Sequence, residues 1–499
     1  MAEIILNNLE SDKNAQCYWF DGEWHTRGDL LNLVNKSAET LKNAGFTKGQ
    51  RLVVMMKNSP LIPALSLAVW KLGGAICPLN EKAGNDALKH TLELLKPFTL
   101  VISPEAEKNI DPEILKSWPS VICENELKDF TGKTNYADSE DENFAVIFST
   151  SGTTGKPKAV PLTHTNLISN CEATSKHVHV LNSDDVFLNA LPNFHSFGYT
   201  CTMMLPLSIN AKIATVPSFL PPSGAIRAIL EANVTTMYIV PAMLSYLVNA
   251  AAKNKMPVDA LKRQKFICTG GDKLSAGIRA QAVKLFGRDI ICEGYGLTET
   301  TPVVCMNRST EENKPGTVGP LLPGYEFKLK TRDGQLLNNS NEGVLWVRGN
   351  SVTPGYYHAP EITRERFDDE KFFNTGDYVK IDEDGYYTIL DRVTDIIIVS
   401  GFNVYPQEVE RVLTEHPAVQ TAIVVGMPHD TNGEIPEAYI QRREGFENVS
   451  EREIIKFAKE RLAHFKVPRK VEFVDDFPLS STGKILRRVL REKAGRKSL

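Results

Sequence analysis

A run rich in hydroxyls, glycine and lysine lies at residues 148–161, with the sequence FSTSGTTGKPKAVP. Glycine lets a backbone close around an anion, hydroxyl and N–H groups donate hydrogen bonds, and lysine supplies positive charge. The apolar residues 144–148 that lead into it predict a buried strand before the loop. The residues suited to hold a polyphosphate there are Thr150, Ser151, Gly152, Thr153, Thr154, Gly155, Lys156 and Lys158. A polar loop that is merely solvated is the alternative interpretation.

The run does not fit the Walker P-loop. That motif needs a glycine, four further residues, and then Gly-Lys followed by serine or threonine, whose hydroxyl holds magnesium. Thr150 stands at the first glycine position and Pro157 follows Lys156. Proline offers neither a hydroxyl nor an N–H group. A phosphate site at this run is therefore of another kind.

Two further polar turns follow apolar runs that predict strands, at residues 266–269 and 290–292. In open α/β sheets, ligands sit beyond the carboxyl ends of the strands, which is where both turns fall. In the second turn, Tyr295 offers an aromatic face for a purine and Thr298 a hydroxyl for an α-phosphate. Glu299 offers a hard oxygen ligand for Mg²⁺.

Three single residues carry weaker signals. His195 stands among aromatic residues and is either a core histidine or an orienting group. Asp377 ends the run Asn374-Thr375-Gly376, which is typical of a turn between strands, although a carboxylate there has two acceptor oxygens for a ligand. Lys484 precedes a basic helix. A free ammonium at a helix start opposes the helix dipole, which favours a use elsewhere over a merely solvated lysine.

In their order along the chain, these motifs resemble the adenylate-forming superfamily of acyl-CoA synthetases, adenylation domains and luciferases. Residues 148–161 resemble its phosphate-binding loop, except that Ala159 stands where the family usually has glycine. Residues 295–299 match its Tyr-Gly-x-Thr-Glu motif in full, about 145 residues after the loop. The resemblance spans essentially the whole chain.

The resemblance implies a role for each of these positions. The loop would contact the β- and γ-phosphates of ATP, and Lys484 would lie near the substrate carboxylate and the α-phosphate. His195 would lie beside the acyl pocket and orient the carboxylate by hydrogen bonding. Glu299 would bind Mg²⁺ and Thr298 the α-phosphate. The other positions assigned to the nucleotide are Gly271, Asp272, Glu293, Gly294, Tyr295, Gly296, Asp377 and Arg392, and those where the pantetheine tunnel of CoA would open are Ser400 and Gly401.

The implied reaction is that of an acid–thiol ligase. A carboxylate would attack the α-phosphorus of Mg·ATP, releasing pyrophosphate, and a thiol would then displace AMP from the acyl-adenylate. The work is positioning and charge stabilisation, so no nucleophilic side chain is needed. Residues 400–408 and 482–488 are similar to medium- and long-chain fatty acyl-CoA synthetases. A fatty or other hydrophobic acid and CoA are therefore the expected substrates.

Other functions fit part of the pattern. Residues 194–198 and 314–319 also resemble synthetases that load fatty acids onto acyl carrier protein. A standalone amino-acid adenylating enzyme would need an acidic residue in its pocket, which the sequence does not place. A non-catalytic nucleotide-binding protein of this fold would be expected to lack Lys484 or Glu299, and both are present.

The elements that must position these residues predict an α/β fold. Helices and strands alternate over the first hundred residues, which indicates a doubly wound sheet. Residues 1–392 are expected to form a large N-terminal domain of such sheets with a β subdomain at 311–390, and residues 393–499 a small, mobile α+β domain. The resemblance places a hinge at 391–395, with Thr394 where family members usually carry aspartate or lysine.

Composition excludes several classes of protein. The net charge of −4 over 499 residues gives no basic footprint for nucleic acid. No stretch approaches the length of a membrane span, and the N-terminus does not have the pattern of a signal peptide. The eight cysteines form no C-x-x-C pair and are expected to be reduced and mostly buried in a cytoplasmic protein. The oligomeric state is not indicated.

Overall fold

The computed structural model describes residues 1–118, 121–123, 143–150, 157–253, 256–257, 259, 262–308, 311–429, 431–478 and 485–496. Its contacts divide the chain into two compact units. The first comprises Met1–Glu326 and Val347–Phe373, and the second Phe327–Trp346 and Asn374–Leu499. The boundary expected at residue 392 and the hinge at 391–395 remain predictions.

The first unit alternates strands and helices, as a doubly wound fold requires. Its strands are β1 (Gln16–Phe20), β2 (Glu23–Thr26), β3 (Arg51–Met55), β4 (Ala75–Pro78), β5 (Thr99–Ile102), β6 (Val121–Cys123), β7 (Phe144–Thr150), β8 (Lys158–Thr163), β9 (Val186–Asn189), β10 (Lys212–Thr215), β11 (Thr236–Ile239), β12 (Phe266–Thr269), β13 (Ile291–Gly296) and β14 (Val303–Met306). Its helices are α1 (Ala2–Ser11), α2 (Arg27–Asn43), α3 (Leu61–Lys71), α4 (Asn85–Leu95), α5 (Pro104–Asn109), α6 (Pro112–Ser117), α7 (His164–Val178), α8 (Leu205–Ser208), α9 (Ser223–Glu231), α10 (Pro241–Ala252), α11 (Ala276–Phe286) and α12 (Pro360–Arg366). A π-helix at Gly198–Met204 and a 3-10 helix at Thr298–Thr300 complete the elements used below.

Two sheets organise this unit. One has the strand order β6-β5-β3-β4-β7-β8 and the other β14-β13-β12-β11-β9-β10-β1-β2. Neighbouring strands run parallel except for β7·β8, β13·β14 and β1·β2. Every residue of β3 and β4 is buried. Parallel strands covered on both faces are continuously apolar, and this pattern made them predictable.

The helices begin where their capping residues predict. Thr26 caps α2 by accepting a hydrogen bond from the Asp29 N–H, and the Asp29 carboxylate accepts one from the Thr26 N–H. This reciprocal capping box satisfies two backbone donors that a helix start otherwise leaves unpaired. The helix ends before Gly45, whose φ of +98° suits glycine. The predicted starts and stops are thereby confirmed for this helix.

The extent of β13 differs from the expectation. Residues 293–296 were predicted as part of a turn, but the strand continues to Gly296 because it pairs antiparallel with β14. An ideal Cβ placed on Gly296 would lie 1.8 Å from the carbonyl oxygen of Pro302, so a residue with a side chain does not fit there. The turn begins at Leu297 and leads directly into the 3-10 helix.

The second unit has smaller sheets. Its strands are β15 (Tyr325–Lys330), β16 (Glu342–Gly349), β17 (Phe373–Ile381), β18 (Tyr387–Arg392), β19 (Ile397–Val399), β20 (Phe402–Val404), β21 (Val419–His429), β22 (Gly433–Arg442) and β23 (Lys470–Phe473). Its helices are α13 (Pro406–Thr414), α14 (Glu451–Lys459) and α15 (Arg487–Arg496). One sheet has the order β15-β16-β17-β18 and the other β20-β19-β22-β21, with β23 paired to β22.

Most predicted elements of the second unit are present. The buried residues Val409 and Val412 lie on α13 as their spacing indicates, and Ser450 caps α14 by accepting from the Glu453 N–H. The alternative interpretation of residues 374–377 as a turn is wrong, because these residues lie within β17, whereas the role of Asp377 in binding ribose stays a prediction. Asp377 pairs with Arg392 across the ladder of β17 and β18, next to a shift of register between Tyr378 and Val379.

The cysteines whose side chains the structure describes are buried and free, in keeping with the expectation from composition. They are Cys17, Cys77, Cys171, Cys201, Cys268, Cys292 and Cys305. Burial raises the pKa of the Cys17 thiol to about 12, so this thiol stays protonated at neutral pH. Within the described ranges, no helix is both long enough and apolar enough to cross a membrane.

Candidate active site

Thr298 and Glu299 stand on the 3-10 helix that follows β13, at the carboxyl end of that strand. The Tyr356 hydroxyl donates a hydrogen bond to Glu299 Oε1 over 2.7 Å. The Ser196 hydroxyl donates to the Thr298 hydroxyl over 3.3 Å. Burial raises the pKa of Tyr356, and the neighbouring Glu299 raises it further, so the phenol remains a proton donor at neutral pH. A hydroxyl and a carboxylate are thus fixed side by side where ligands of such sheets bind.

The segment of residues 350–357 connects this helix to β8. The Thr353 N–H donates to the carbonyl oxygen of Glu299 over 2.8 Å, and the Thr353 hydroxyl donates to the carbonyl oxygen of Pro161 over 2.6 Å. Tyr357 continues the connection by donating its N–H to the carbonyl oxygen of Ala159 over 3.0 Å. Glu299 is therefore positioned through its backbone by this segment as well as through its carboxylate.

The predicted phosphate loop joins β7 to β8, which pair antiparallel with Thr150 opposite Lys158. Lys158 Nζ lies 5.4 Å from the centroid of the Tyr356 ring, so a positive charge stands beside the partner of Glu299. The structure therefore brings the two ends of the loop to the same site as Glu299. The predicted loop residues Ser151, Gly152, Thr153, Thr154, Gly155 and Lys156 lie outside the described residues.

The turn after β12 lies against the end of β13. An ideal Cβ on Gly270 would lie 3.2 Å from the Gly294 carbonyl oxygen and 3.4 Å from the Phe197 ring, so the backbones approach closely here. Gly271 has a φ of +81°, a conformation that favours glycine. Asp272 is exposed, and its carboxylate accepts a hydrogen bond from the neighbouring Lys273 N–H over 2.8 Å. Both candidate residues are therefore on this turn.

Tyr295 and Glu293 lie on β13 itself. Tyr295 is half-buried, whereas Glu293 is buried. Glu293 Oε1 accepts hydrogen bonds from the Gly316 N–H over 3.0 Å and from the Arg279 guanidinium over 3.2 Å. Burial raises the pKa of the Glu293 carboxyl, and these two contacts oppose that rise. Glu293 Oε1 is thus engaged by two protein groups.

His195 is half-buried and lies three residues before the π-helix. Its Nδ1 accepts a hydrogen bond from the Phe197 N–H over 3.3 Å, which orients the imidazole. Gly198 begins the π-helix at a point where an ideal Cβ would lie 2.3 Å from the carbonyl oxygen of Pro192. Since Ser196 contacts Thr298, the structure places His195 one residue away from a group that touches the predicted nucleotide site.

The predicted site residues of the second unit that the structure describes lie in two separate places. Asp377 Oδ1 accepts from Arg392 Nε over 2.9 Å, and the Asp377 side chain is 3% exposed whereas that of Arg392 is 50% exposed. Ser400 and Gly401 form the exposed turn between β19 and β20, with φ angles of +50° and +84°. Lys484 lies outside the described residues.

A buried carboxylate joins β18 to α13. Asp391 accepts hydrogen bonds from the Gln407 N–H over 3.0 Å and from the Arg392 N–H over 2.9 Å. Burial raises the pKa of Asp391 to about 6, against an opposing effect of Arg487. Arg487 itself donates to Glu410 over 2.8 Å. Arg487, a residue of the basic helix after Lys484, is thus partly buried in an ion pair with Glu410.

A magnesium ion fits the donor set around Glu299. Among the described residues, no group of three or more histidine, cysteine or acidic side chains is placed to hold a metal ion. Mg²⁺ is commonly held by one or two carboxylates together with substrate phosphates and water, so it does not need such a cluster. Glu299 Oε1 is engaged by Tyr356, and its second carboxylate oxygen is suited to this kind of coordination.

Several residues of the site were missed from the sequence. Tyr356 lies 57 residues after Glu299, and Asn166 contacts the 350–357 segment across more than 180 residues. Arg279 belongs to α11 and showed no pattern beyond that of an ordinary helix. Side chains brought together by tertiary contacts at such separations leave no local signal, whereas Glu299 stands in a recognisable motif.

Comparison with known proteins agrees with the resemblance. The family model described as "AMP-binding enzyme" matches residues 7–357, and the one described as "AMP-binding enzyme C-terminal domain" matches residues 408–484. The chain is 30% identical to a feruloyl-CoA synthase of Amycolatopsis sp, covering 94% of either chain. It is 29% identical to a long-chain-fatty-acid–CoA ligase of Bacillus subtilis, covering 97% of this chain and 92% of that one. Among solved structures, ATP-bound MatB from Rhodopseudomonas palustris matches with a TM-score of 0.88 at 28% identity, covering 99% of both chains.

Proposed function

Because the chain belongs to the AMP-binding enzyme family and is a ligase, we propose that it joins a hydrophobic carboxylic acid to CoA at the expense of ATP. The acid is first adenylated with release of pyrophosphate, and CoA then displaces AMP. Fatty acids are the substrate class that residues 400–408 and 482–488 favour. The two relatives with the names feruloyl-CoA synthase and long-chain-fatty-acid–CoA ligase support an acyl-CoA product with different acids.

The observation that carries this proposal is the arrangement around Glu299. Its carboxylate stands next to Thr298 in the chain and accepts a hydrogen bond from Tyr356, and the Lys158 ammonium lies 5.4 Å from the centroid of the Tyr356 ring. A carboxylate suited to Mg²⁺, a hydroxyl donor and a cation are the groups that bind a polyphosphate. Bound Mg²⁺ would neutralise phosphate charge there. Tyr356 orients the Glu299 carboxylate toward this task.

The acid is proposed to bind beside His195. Its imidazole is oriented by the Phe197 N–H and lies next to Ser196, which contacts Thr298. A hydrogen bond from His195 would hold the carboxylate of the acid near the α-phosphate, where positioning accelerates the reaction by lowering its entropic cost. Lys484 is proposed to supply the positive charge that stabilises the transition state.

The nucleoside is proposed to bind across the turn after β12 and the end of β13. Gly271, Asp272 and Tyr295 would contact the adenine, with Gly294 and Gly296 allowing a close approach of backbone. Asp377 would bind the ribose hydroxyls, with Arg392, whose guanidinium lies 2.9 Å from its Oδ1, beside it. Ser400 and Gly401 would lie on the path of the CoA pantetheine.

The test is pyrophosphate release from ATP in the presence of fatty, aromatic and amino acids. Each acid is measured with no acceptor, with CoA, and with pantetheinylated acyl carrier protein. Thioester formation from hydrophobic acids with CoA is the expected result. Preference for the carrier protein would assign the chain to acyl carrier protein loading, and preference for amino acids would assign it to amino-acid adenylation. Failure of every acid to release pyrophosphate, with ATP bound, would contradict the proposal.

A further inference from the structure

Three buried asparagine side chains hold the segment of residues 191–197, which we call the His195 segment. They form what we call the amide cluster: Asn58, Asn189 and Asn193, each at most 4% exposed. Asn189 is the last residue of β9, and Asn193 stands two residues before His195. Asn58 lies between β3 and α3, so the cluster joins residues that follow strands of both sheets of the first unit.

The side chains of Asn189 and Asn193 pair with each other. Asn193 Nδ2 donates to Asn189 Oδ1 over 2.9 Å, and Asn189 Nδ2 donates back to Asn193 Oδ1 over 3.2 Å. Asn189 also donates to the Thr215 hydroxyl over 3.3 Å and accepts from the Thr202 hydroxyl of the π-helix over 2.7 Å. The pair thus ties Asn193 to the end of β9 and to the helix that follows the His195 segment.

Asn58 holds the backbone of the His195 segment from the other sheet. Its Nδ2 donates to the carbonyl oxygen of Leu191 over 2.8 Å, and its Oδ1 accepts from the Asn193 N–H over 2.9 Å. The Asn58 N–H in turn donates to the carbonyl oxygen of Pro217 over 3.2 Å. The backbone two residues before His195 is therefore fixed by buried hydrogen bonds.

The position of this backbone decides contacts in the candidate active site. The Ser196 hydroxyl, in a residue that is 1% exposed, donates to the Thr298 hydroxyl over 3.3 Å. That distance is long for a bond between two hydroxyls, so a small displacement of the segment breaks the contact. The same displacement carries the His195 imidazole with it. Both side chains therefore depend on how Asn193 is held.

Apolar side chains would fill the same space without fixing an orientation. When both partners of a buried hydrogen bond are replaced by apolar groups of the same shape, stability changes little, whereas a satisfied polar network specifies one arrangement. Every side-chain nitrogen and oxygen of the amide cluster takes part in a hydrogen bond. The cluster is thus suited to orient the segment rather than merely to pack it.

From this arrangement we propose that Asn189 and Asn193 are positioning residues for adenylation, which act through the His195 segment without touching substrate. They hold the imidazole of His195 where it meets the carboxylate of the acid. They also hold Ser196 as a donor to Thr298, which leaves the hydrogen of the Thr298 hydroxyl to the α-phosphate. The proposal rests on the function proposed above and adds two residues to its machinery.

The test replaces the amide pair by leucine in the full chain, as Asn189→Leu with Asn193→Leu. Acid-dependent pyrophosphate release per ATP-binding site is expected to fall about tenfold, because a displacement of about 1 Å costs up to about a hundredfold and the bonds of Asn58 remain. Tm is expected to change little, since both partners of the pair are removed together. The KM for ATP is expected to stay near that of the wild type.

A second background separates positioning from a general loss of structure. In a chain with His195→Ala and Ser196→Ala, the leucine pair has no groups left to displace and is expected to cause less than about a twofold further loss. The matched control is Gln264→Leu, which removes a buried amide that donates to the carbonyl oxygen of Val234 over 2.7 Å at the amino end of β12. It is expected to lower Tm and to leave pyrophosphate release per ATP-binding site unchanged.

The outcomes distinguish the role of the amide cluster from the ligase function. A tenfold loss that persists in the His195→Ala, Ser196→Ala background would overturn the proposal, as would an unchanged rate for the leucine pair alone, and the ligase function would stand in both cases. Should the leucine pair not fold, Asn193→Ala takes its place in the same comparison. If no acid supports pyrophosphate release by the wild type, the substrate proposal fails and the positioning role fails with it.

Discussion

The hydrogen bond from Tyr356 to Glu299 couples the proposed magnesium ligand to a residue 57 positions along the chain. A carboxylate that accepts a hydrogen bond from a fixed phenol has fewer orientations, so the other oxygen is presented in a defined direction. The pKa of Tyr356 is raised by burial and by Glu299, which keeps the phenol protonated and the contact intact through the neutral range. We therefore expect the Tyr356 hydroxyl to influence the reaction by orienting Glu299.

This coupling gives a prediction at the scale of residues. Glu299→Gln is expected to lower the rate of pyrophosphate release by about a hundredfold, because removal of a charge-stabilising group at a transition state has costs of this order. Tyr356→Phe is expected to lower the rate by about tenfold, since it removes one neutral donor from an ionised partner. The measurement is pyrophosphate release at several magnesium concentrations.

The double variant distinguishes coupling from two separate effects. With Glu299 replaced, the Tyr356 hydroxyl has lost its charged partner, so adding Tyr356→Phe is expected to cause little further loss. Additive losses in the double variant would contradict the coupling. Tyr246→Phe, in which the altered side chain is 46% exposed, is the control and is expected to match the wild type.

Among elements, the 350–357 segment is attached to the start of α7 through one side chain. The Asn166 amide donates to the carbonyl oxygens of Asn350 over 2.6 Å and Val352 over 2.9 Å. The same residue completes the capping box of α7 with Thr163. Because this segment also holds Glu299 through Thr353, the helix start supports the active site indirectly.

Asn166→Ala is therefore expected to lower the free energy of unfolding by more than the loss of a helix cap alone would. Loss of the cap costs about 1 kcal/mol, and loss of two further buried hydrogen bonds brings the total to about 3 kcal/mol. The matched control is Asp29→Ala, which removes the corresponding residue of the exposed capping box of α2 and is expected to cost about 1 kcal/mol. Urea unfolding measures both. Equal losses of unfolding free energy in the two variants would contradict the role of Asn166 in supporting the active site. Unchanged pyrophosphate release in Asn166→Ala would contradict it as well.

The buried Asp391 predicts a pH dependence of stability. Its pKa is raised from 3.8 to about 6 in the folded chain. Since the folded pKa is the higher one, folding binds a proton, so this group adds stability below pH 4 that is lost as pH rises through about 6. The contribution of Asp391 to the free energy of unfolding changes by about 3 kcal/mol across this range. Relative to Asp391→Asn, which does not titrate, the wild type is expected to lose stability between pH 4 and 6.

The free energy of unfolding of both proteins is measured by urea denaturation across that pH range, with a signal that reports the unfolding of the second unit. The variant is compared with the wild type at each pH, so that titration of other carboxyl groups cancels in the difference. A difference in the free energy of unfolding that stays constant with pH, or that rises with it, would contradict burial as the dominant influence on Asp391.

Local signals explain which elements could be predicted. Strands β3 and β7 are apolar runs, and α2 and α14 begin with capping residues, so each carries its own evidence. The extension of β13 to Gly296 and the place of Asp377 within β17 depend on pairing with other strands. Glycine and aspartate are typical of turns, so tertiary pairing overrode a correct local preference. For the same reason Arg487 could not be told from a solvated arginine.

At the scale of the whole molecule, the proposed hinge at residues 391–395, which lies within the second compact unit, bears on the order of the two half-reactions. The resemblance implies that the C-terminal domain takes one orientation for adenylation and another for thioester formation, by rotation about residues 391–395. Arg392 and Asp395 flank the proposed hinge residue, and Asp395 accepts from the Arg491 guanidinium over 3.3 Å. Thr394 between them is exposed, so its replacement tests the hinge with little disturbance of packing.

Thr394→Pro is expected to separate the two half-reactions. Proline fixes φ near −65° and so restricts rotation of the backbone at this position. A chain locked in the adenylation orientation keeps acid-dependent pyrophosphate release in a single turnover but loses transfer of the acyl group to CoA, because rotation then limits the second step.

The opposite pattern is expected for Lys484→Ala, which removes the charge proposed for adenylation but leaves transfer from a supplied acyl-adenylate. Both half-reactions are measured for both variants, with Thr394→Ala as the control that retains a flexible backbone. Equal loss of both half-reactions in Thr394→Pro, with Tm unchanged, would show that this position does not govern the rotation.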